Sequence, residues 1–221
     1  MKQTSIDKLS KVYNFLQDEM QPGMAELIAE VIRAESAKPK GEKFDYYKFT
    51  PPKKAYYREA LKGVYHDSGW KVASDAHIMV ALKEEYPEEL EGKIVAEDGS
   101  FIDATYPAWQ KIMPKKPSKD AHKIDVAGFR EWLADRRVQY KAEYGKGTKY
   151  DDHWDVCVGG VYFRAWLFDL LITAMEKIGA DTLLLEGSHP AYCETEKGKV
   201  VVMPLVLDNV EIANDKIYNM A

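Results

Sequence analysis

Apolar residues recur at helical spacing from the start of the chain. Ile6, Leu9, Val12, Tyr13, Leu16 and Met20 mark one amphipathic run, and Met24, Leu27, Ile28, Val31 and Ile32 a second. Gln21-Pro22-Gly23 separates the two, and Ala37-Lys38-Pro39-Lys40-Gly41 closes the second. Their polar faces mix both charge signs, whereas a membrane-surface helix would be mainly basic. The expectation is two helices packed on the body of the protein.

From Phe44 the texture changes. Residues 44–49 are aromatic and β-prone. Residues 61–66 and 70–73 read as the strands of a hairpin turning at Asp67-Ser68-Gly69, and residues 78–82 as the next strand. Residues 93–96 and 100–102 flank Glu97-Asp98-Gly99, which predicts another hairpin. A helix is expected over 125–141, with Val126, Phe129, Leu133 and Arg137 on successive turns, followed by a loop over 144–152 and a short strand over 156–161. Residues 164–178 form the most apolar helical stretch, closed by Gly179. Strands then follow at 182–185 and 199–207, where uninterrupted Val and Leu predict burial on both faces. Helices alternate with runs of antiparallel strands, an α+β arrangement rather than a doubly wound sheet.

Composition narrows the class. The chain has 221 residues, 46% hydrophobic and 30% charged, as in an ordinary globular protein with a sizeable core. The net charge is −5 with a pI of about 5.6, which argues against coating DNA through overall positive charge but leaves room for a local basic surface. The longest apolar helical stretch is broken by Asp169 and falls short of a membrane span. Residues 1–11 lack the apolar core of a secretory signal. Cys157 and Cys193 lie far apart and form no CxxC pair, so free buried thiols and a cytoplasmic location are expected.

Three segments, in order along the chain, carry a resemblance. The first runs Leu61-Lys62-Gly63-Val64-Tyr65 through Val72-Ala73-Ser74-Asp75-Ala76-His77-Ile78-Met79-Val80. The second is Tyr106-Pro107-Ala108-Trp109-Gln110-Lys111-Ile112-Met113-Pro114, and the third Val201-Val202-Met203-Pro204-Leu205-Val206-Leu207. Together they resemble the bacterial sliding clamp, the β subunit of DNA polymerase III, with its L-N-G-V and A-T-D-G-H-R-L-A strands, its F-P-D-Y-R-R-V-L-P segment and its C-terminal V-V-M-P-M-R-L. The resemblance implies a DNA-clamp-like α+β fold in which helices pack on antiparallel sheets. The N-terminal helices (1–42) would be an addition, with 43–118 a first clamp-like unit and 119–221 a second, or the two together one continuous clamp-like domain. Clamps take short peptides from polymerases and repair proteins in an apolar groove. The matching positions here are His77, Ile78, Met79, Pro204, Leu205 and Val206. Ala76 replaces the clamp glycine, and Ile78 and Val206 replace arginines, which keeps an apolar surface but removes charge.

Outside that resemblance, the residues offer four chemistries. Arg130, Arg137 and Lys141 fall near one another on one helix and would meet phosphates of double-stranded DNA without reading bases, although Glu131, Asp135 and Glu143 dilute the charge. Trp132 beside them would stack or pack, and Lys111, Lys115, Lys116 and Lys119 make a looser basic stretch. Asp75 and His77, two apart, would share one face of a strand and suit acid–base work. Asp151-Asp152-His153-Trp154-Asp155 is the densest set of hard metal ligands, but its spacing fits no EF-hand or zinc signature. His189 and Cys193 lack the second pair that zinc needs. P-loop, GxGxxG, GxSxG and HExxH motifs are absent, and no cofactor is expected. The leading expectation is a non-enzymatic clamp-like scaffold in DNA metabolism that binds DNA nonspecifically or docks peptides of replication proteins. The alternatives are an interaction module that keeps the fold without DNA, and a hydrolase built on Asp75 and His77 or a metal at 151–155.

Overall fold

A computed structural model describes residues 44–52, 58–113, 118–144, 154–185, 189–205 and 217–220, with the backbone alone over 140–144. All of the described strands and helices belong to the unit Asp45–Ala221. The helices expected before residue 43 lie outside the described residues.

Among the described residues of this unit are two sheets and two α-helices. Strands β1 (Val64–Asp67), β2 (Trp70–Ser74), β3 (Ile78–Lys83), β4 (Ile94–Val95), β5 (Phe101–Ile102), β6 (Asp120–Lys123), β9 (Thr182–Leu185), β10 (Ala191–Thr195) and β11 (Gly198–Val202) build a nine-stranded sheet. Its order is β5-β4-β1-β2-β3-β11-β10-β9-β6, and all its pairings are antiparallel. Strands β7 (Asp155–Val158), β8 (Val161–Arg164) and β12 (Ile217–Met220) form a smaller sheet in which β12 runs parallel to β7. The helices are α1 (Val126–Tyr144) and α2 (Ala165–Ile178).

The central joint is the β3–β11 ladder, in register from Gly198 opposite Leu82 to Val202 opposite Ile78. It unites the strands drawn from 64–102 with those drawn from 120–202. Both strands are buried along most of their length, as the unbroken Val and Leu require. On one face α2 packs against β11, β3 and β10 through an apolar stripe that includes Leu171, Ile172 and Met175. Its Ile178 comes so close to Gly198 that a Cβ there would lie 2.5 Å from the isoleucine methyl. The other face carries a cluster of Val72, Met79, Ala81, Trp109, Tyr192 and Val201.

Several local expectations change in three dimensions. Residues Tyr46–Phe49 form a 3-10 turn rather than a strand. Asp45 accepts a bond from the Tyr47 N–H, and Thr50 Oγ1 donates to the Tyr47 carbonyl at 2.9 Å, closing the turn. The aromatic β preference is a preference for packing, and here burial of Tyr46 and Phe49 satisfies it without a strand. The single strand expected over 156–161 is a hairpin, because Gly159 and Gly160 both take positive φ, 54° and 80°, and turn the chain back on itself. Strands β6, β10 and β12 had no visible periodicity. Helix α2 ends as expected at Gly179, whose φ is 74°.

Candidate functional site: an apolar groove

The turn between β2 and β3 sets the first wall of the site. Asp75 Oδ1 accepts from the backbone N–H of His77 at 2.8 Å and of Ile78 at 2.9 Å. Ser74 Oγ donates to the Ile78 carbonyl at 2.9 Å and accepts from the Ala76 N–H at 3.1 Å. The turn they close forces Ala76 to φ = 75°, a left-handed conformation that glycine adopts freely and alanine does not. Asp75 is therefore occupied as a turn former. His77 is 53% exposed by side chain, and its Nδ1 stands 4.0 Å from Asp75 Oδ1, beyond hydrogen-bond reach. The acid–base pairing considered from sequence is not assembled in this geometry.

The second wall is the segment 106–113. Trp109 is buried, and its Nε1 donates to Asp67 Oδ2 at 2.8 Å, while Gln110 Nε2 donates to the same oxygen at 2.6 Å. Tyr106 stacks on Tyr65 with centroids 4.7 Å apart and planes 10° from parallel, and Trp109 packs on Trp70. One carboxylate at the end of β1 and two aromatic pairs thus hold an otherwise irregular segment across the β1–β2 hairpin. The Tyr106 hydroxyl is buried without a hydrogen-bond partner among the described residues, and burial pushes its pKa up, so it stays protonated.

The third wall is the segment after β11. The Met203 N–H donates to the His77 carbonyl at 2.7 Å, and the Leu205 N–H to the Tyr162 carbonyl at 2.7 Å. Between the three walls lies a groove of about 400 Å³. Leu61, Ile78, Met79 and Val201 contribute apolar surface, and Tyr106, Pro107, Trp109 and Ile112 an aromatic and aliphatic side. Met203, at 41% exposure, and Ile112, at 43%, stand at solvent. The described lining residues include no carboxylate, and Arg58 is their only permanent cation.

Three sequence segments read separately as clamp-like therefore meet in one place. His77, Ile78 and Met79 line the groove as expected. Pro204 and Leu205 are half-buried next to Met203 but do not line it, and Val206 lies outside the described residues. Arg58, Leu61, Val201 and Met203 were missed as groove residues, as was the lining role of Tyr106 to Ile112. The quoted motifs contained all of these except Arg58, which precedes the first motif.

The basic candidates sit elsewhere, on α1. Asp125 Oδ1 accepts from the Gly128 N–H at the start of this helix. Phe129 and Leu133 face inward, and Trp132 packs on Tyr218 of β12. Arg130 pairs with Glu176 of α2 and approaches Asp169 to 3.9 Å, and Arg137 meets Asp169 at 3.1 Å. The Lys141 side chain is outside the described residues. In the acidic cluster, residues 151–153 also fall outside them. Asp155 is buried and bonded to Arg164 at 3.1 Å, and burial pushes its carboxyl up despite that arginine. Among the described residues no group of three His, Cys, Asp or Glu is arranged to hold a metal ion. Both cysteines are free and buried, and burial pushes the Cys193 thiol up to about 12, far from thiolate reactivity. No described helix is long and apolar enough to cross a membrane.

No protein-family description and no curated protein matches the chain. Solved structures do. Caulobacter crescentus pol III beta superimposes with a TM-score of 0.50 at 14% identity, over 73% of this chain and 61% of that one. The fold is clamp-like. The DNA polymerase sliding clamp of Pseudomonas aeruginosa with ligand gives 0.49 at 12% identity, over 73% and 62%. The Helicobacter pylori beta clamp bound to DNA ligase peptide gives 0.43 at 16%, over 69% and 59%. This chain spans 57–62% of the length of these and similar clamp chains. The clamp-like α+β fold expected from the three motifs is thus present, carried by an antiparallel sheet and the two described helices.

Proposed function

We propose that this protein is a non-enzymatic docking module of DNA metabolism, and that its groove captures a short extended segment of a partner such as a replication protein. The observation that carries the reading is the convergence of residues 58–79, 106–112 and 201–203 on one apolar groove whose walls are braced from behind. Braced walls lower the ordering cost of binding, and apolar pockets with few polar groups suit side-chain anchors of a peptide. The clamp-like fold supports the same reading. In it, residues 43–118 and 119–221 act as two clamp-like units that share one sheet.

The test is a fluorescence-anisotropy titration with a fluorescein-labelled seven-residue peptide carrying leucine and phenylalanine at alternate positions. Saturable binding is expected, and M203E and I112E should weaken it at least about tenfold, because a carboxylate at either solvent-facing site would face the apolar groove. Equal binding by the variants would remove the groove from the account.

A second reading, nonspecific contact with double-stranded DNA through Arg130, Arg137 and Lys141, rests on their placement along α1. Partly exposed ion pairs such as those to Asp169 and Glu176 are weak enough for phosphates to compete with them. Retention on a duplex DNA column that falls steeply with salt would support it, and no retention at low salt would dismiss it.

A further inference from the structure

Strand β5 is the outer edge of the nine-stranded sheet, and no described strand pairs with its free side. The Ala96 N–H donates to the Ser100 carbonyl at 2.8 Å, so the next pair along the hairpin, Val95 and Phe101, is a non-hydrogen-bonded one. The Phe101 N–H and carbonyl therefore point away from β4, where an added strand would meet them. Phe101 is also 60% exposed. A cavity of about 800 Å³ opens beside this edge, and Tyr47, Pro51, Phe101 and Ile102 give it apolar surface. The Tyr47 hydroxyl donates to the carbonyls of Val95 at 3.2 Å and Ala96 at 2.9 Å, which ties the 3-10 turn Tyr46–Phe49 to the end of β4 and fixes that wall.

The charge of the cavity is one-sided. Glu59, Glu97, Asp98 and Asp103 line it, and the one described lining cation, Lys62, is paired with Glu59 at 2.8 Å. Asp98 Oδ1 accepts from the Ser100 N–H and hydroxyl, which holds the turn but leaves the negative charge in place. Burial, and after it the charges of Glu97, Asp98 and Asp45, raise the Tyr47 pKa, so its hydroxyl stays a donor. A second copy of the chain brought edge to edge would set carboxylates against carboxylates. A basic strand would gain from the open edge, the exposed ring and the charge together.

We propose that the free edge of β5 is a docking surface separate from the groove, and that it takes an extended basic segment of a partner protein as a further strand. Phe101 exchanges backbone hydrogen bonds with that segment and packs on one of its apolar side chains, while a lysine or arginine of the segment enters the cavity lined by Glu97 and Asp103. The backbone bonds supply affinity, and the carboxylates choose the sign of the partner's charge.

The experiment uses the full chain and three fluorescein-labelled nonapeptides that alternate valine with lysine, serine or glutamate. The valine–lysine peptide is expected to bind at least about tenfold more tightly than the valine–serine one at low salt, with the valine–glutamate peptide weakest, and the gap should close as salt is raised. Its amide chemical shifts should cluster at residues 96–104. The double variant E97Q/D103N changes exposed residues only, and should erase most of the preference for lysine while leaving the serine peptide unchanged. F101P removes the outward N–H, spares the bonds to β4 and should weaken the lysine and serine peptides alike. Thermal melts verify that both variants fold. Equal binding of the three peptides, shifts lying elsewhere, or an affinity that neither variant moves overturns the proposal. So does displacement of the valine–lysine peptide by the unlabelled leucine–phenylalanine peptide, which reports on the groove and leaves that reading standing.

Discussion

The groove and the arginine face of α1 differ in how far each is already satisfied by its own chain. On α1, Arg130 and Arg137 stand against Asp169 and Glu176 of the neighbouring helix, so their charge is largely neutralised inside the molecule. At the groove Asp75, Asp67 and the Trp109 indole N–H are spent on bracing the walls, while the apolar lining and the Tyr106 hydroxyl find no described partner. Residues that balance one another hold a fold together. Residues that converge and stay unbalanced are where a second molecule has something to gain.

That contrast can be broken from either side. The largest effect should come from the brace of the groove. W109A empties a buried indole site and removes one of the two donors to Asp67 Oδ2, and should cost about 3–5 kcal/mol in chemical denaturation. A loss under 1 kcal/mol would mean that the 106–113 segment is only loosely attached. Next, M203E should weaken peptide binding at least about tenfold with little change in melting temperature, since Met203 stands at the surface. The turn that shapes the first wall gives a gain instead: A76G should stabilise the protein by about 0.5–1 kcal/mol, because glycine accepts φ = 75° without the Cβ conflict. A destabilised A76G would contradict the left-handed turn.

On the arginine face, D169N should cost stability by only about 0.5 kcal/mol and should raise retention on duplex DNA, by removing the negative charge that Arg137 meets and Arg130 approaches. No change in retention would take Arg130 and Arg137 out of any DNA contact. The smallest effect concerns acid. His66, on β1 between the residues that hold Tyr106 and Trp109, is buried and held below the ordinary 6.5, chiefly by loss of water. Its folded form resists a proton that the unfolded chain takes up near 6.5, so its contribution to stability is present above that pH and fades as pH falls below it. H66Q should flatten the loss in urea melts between pH 7 and 5, and an unaltered profile would assign the acid sensitivity to another group.

Much of the fold was legible in the sequence for a physical reason. Strands β1 to β3, α2 and β9 carry their own apolar pattern, and the turns at Asp67-Ser68-Gly69 and Gly179 carry their own backbone requirement. Strand β6, Asp120–Lys123, is polar and mostly exposed. It is a strand only because all four of its residues pair with β9. Strand β12 likewise owes its extended form to β7. Such elements are written in the tertiary structure, and no window of sequence contains them. The site followed the same rule. Three motifs named most of its lining, but Arg58 belongs to none, and only the folded chain brings it beside them.

The central claim is that the groove, and not α1, receives the partner segment. Backbone amide chemical-shift mapping of the isotope-labelled protein, titrated with the seven-residue leucine–phenylalanine peptide, tests it most directly. The account predicts saturable shifts clustered at residues 76–79, 106–112 and 201–203, with α1 unaffected. Shifts confined to α1, or none at peptide concentrations that saturate anisotropy, would contradict it.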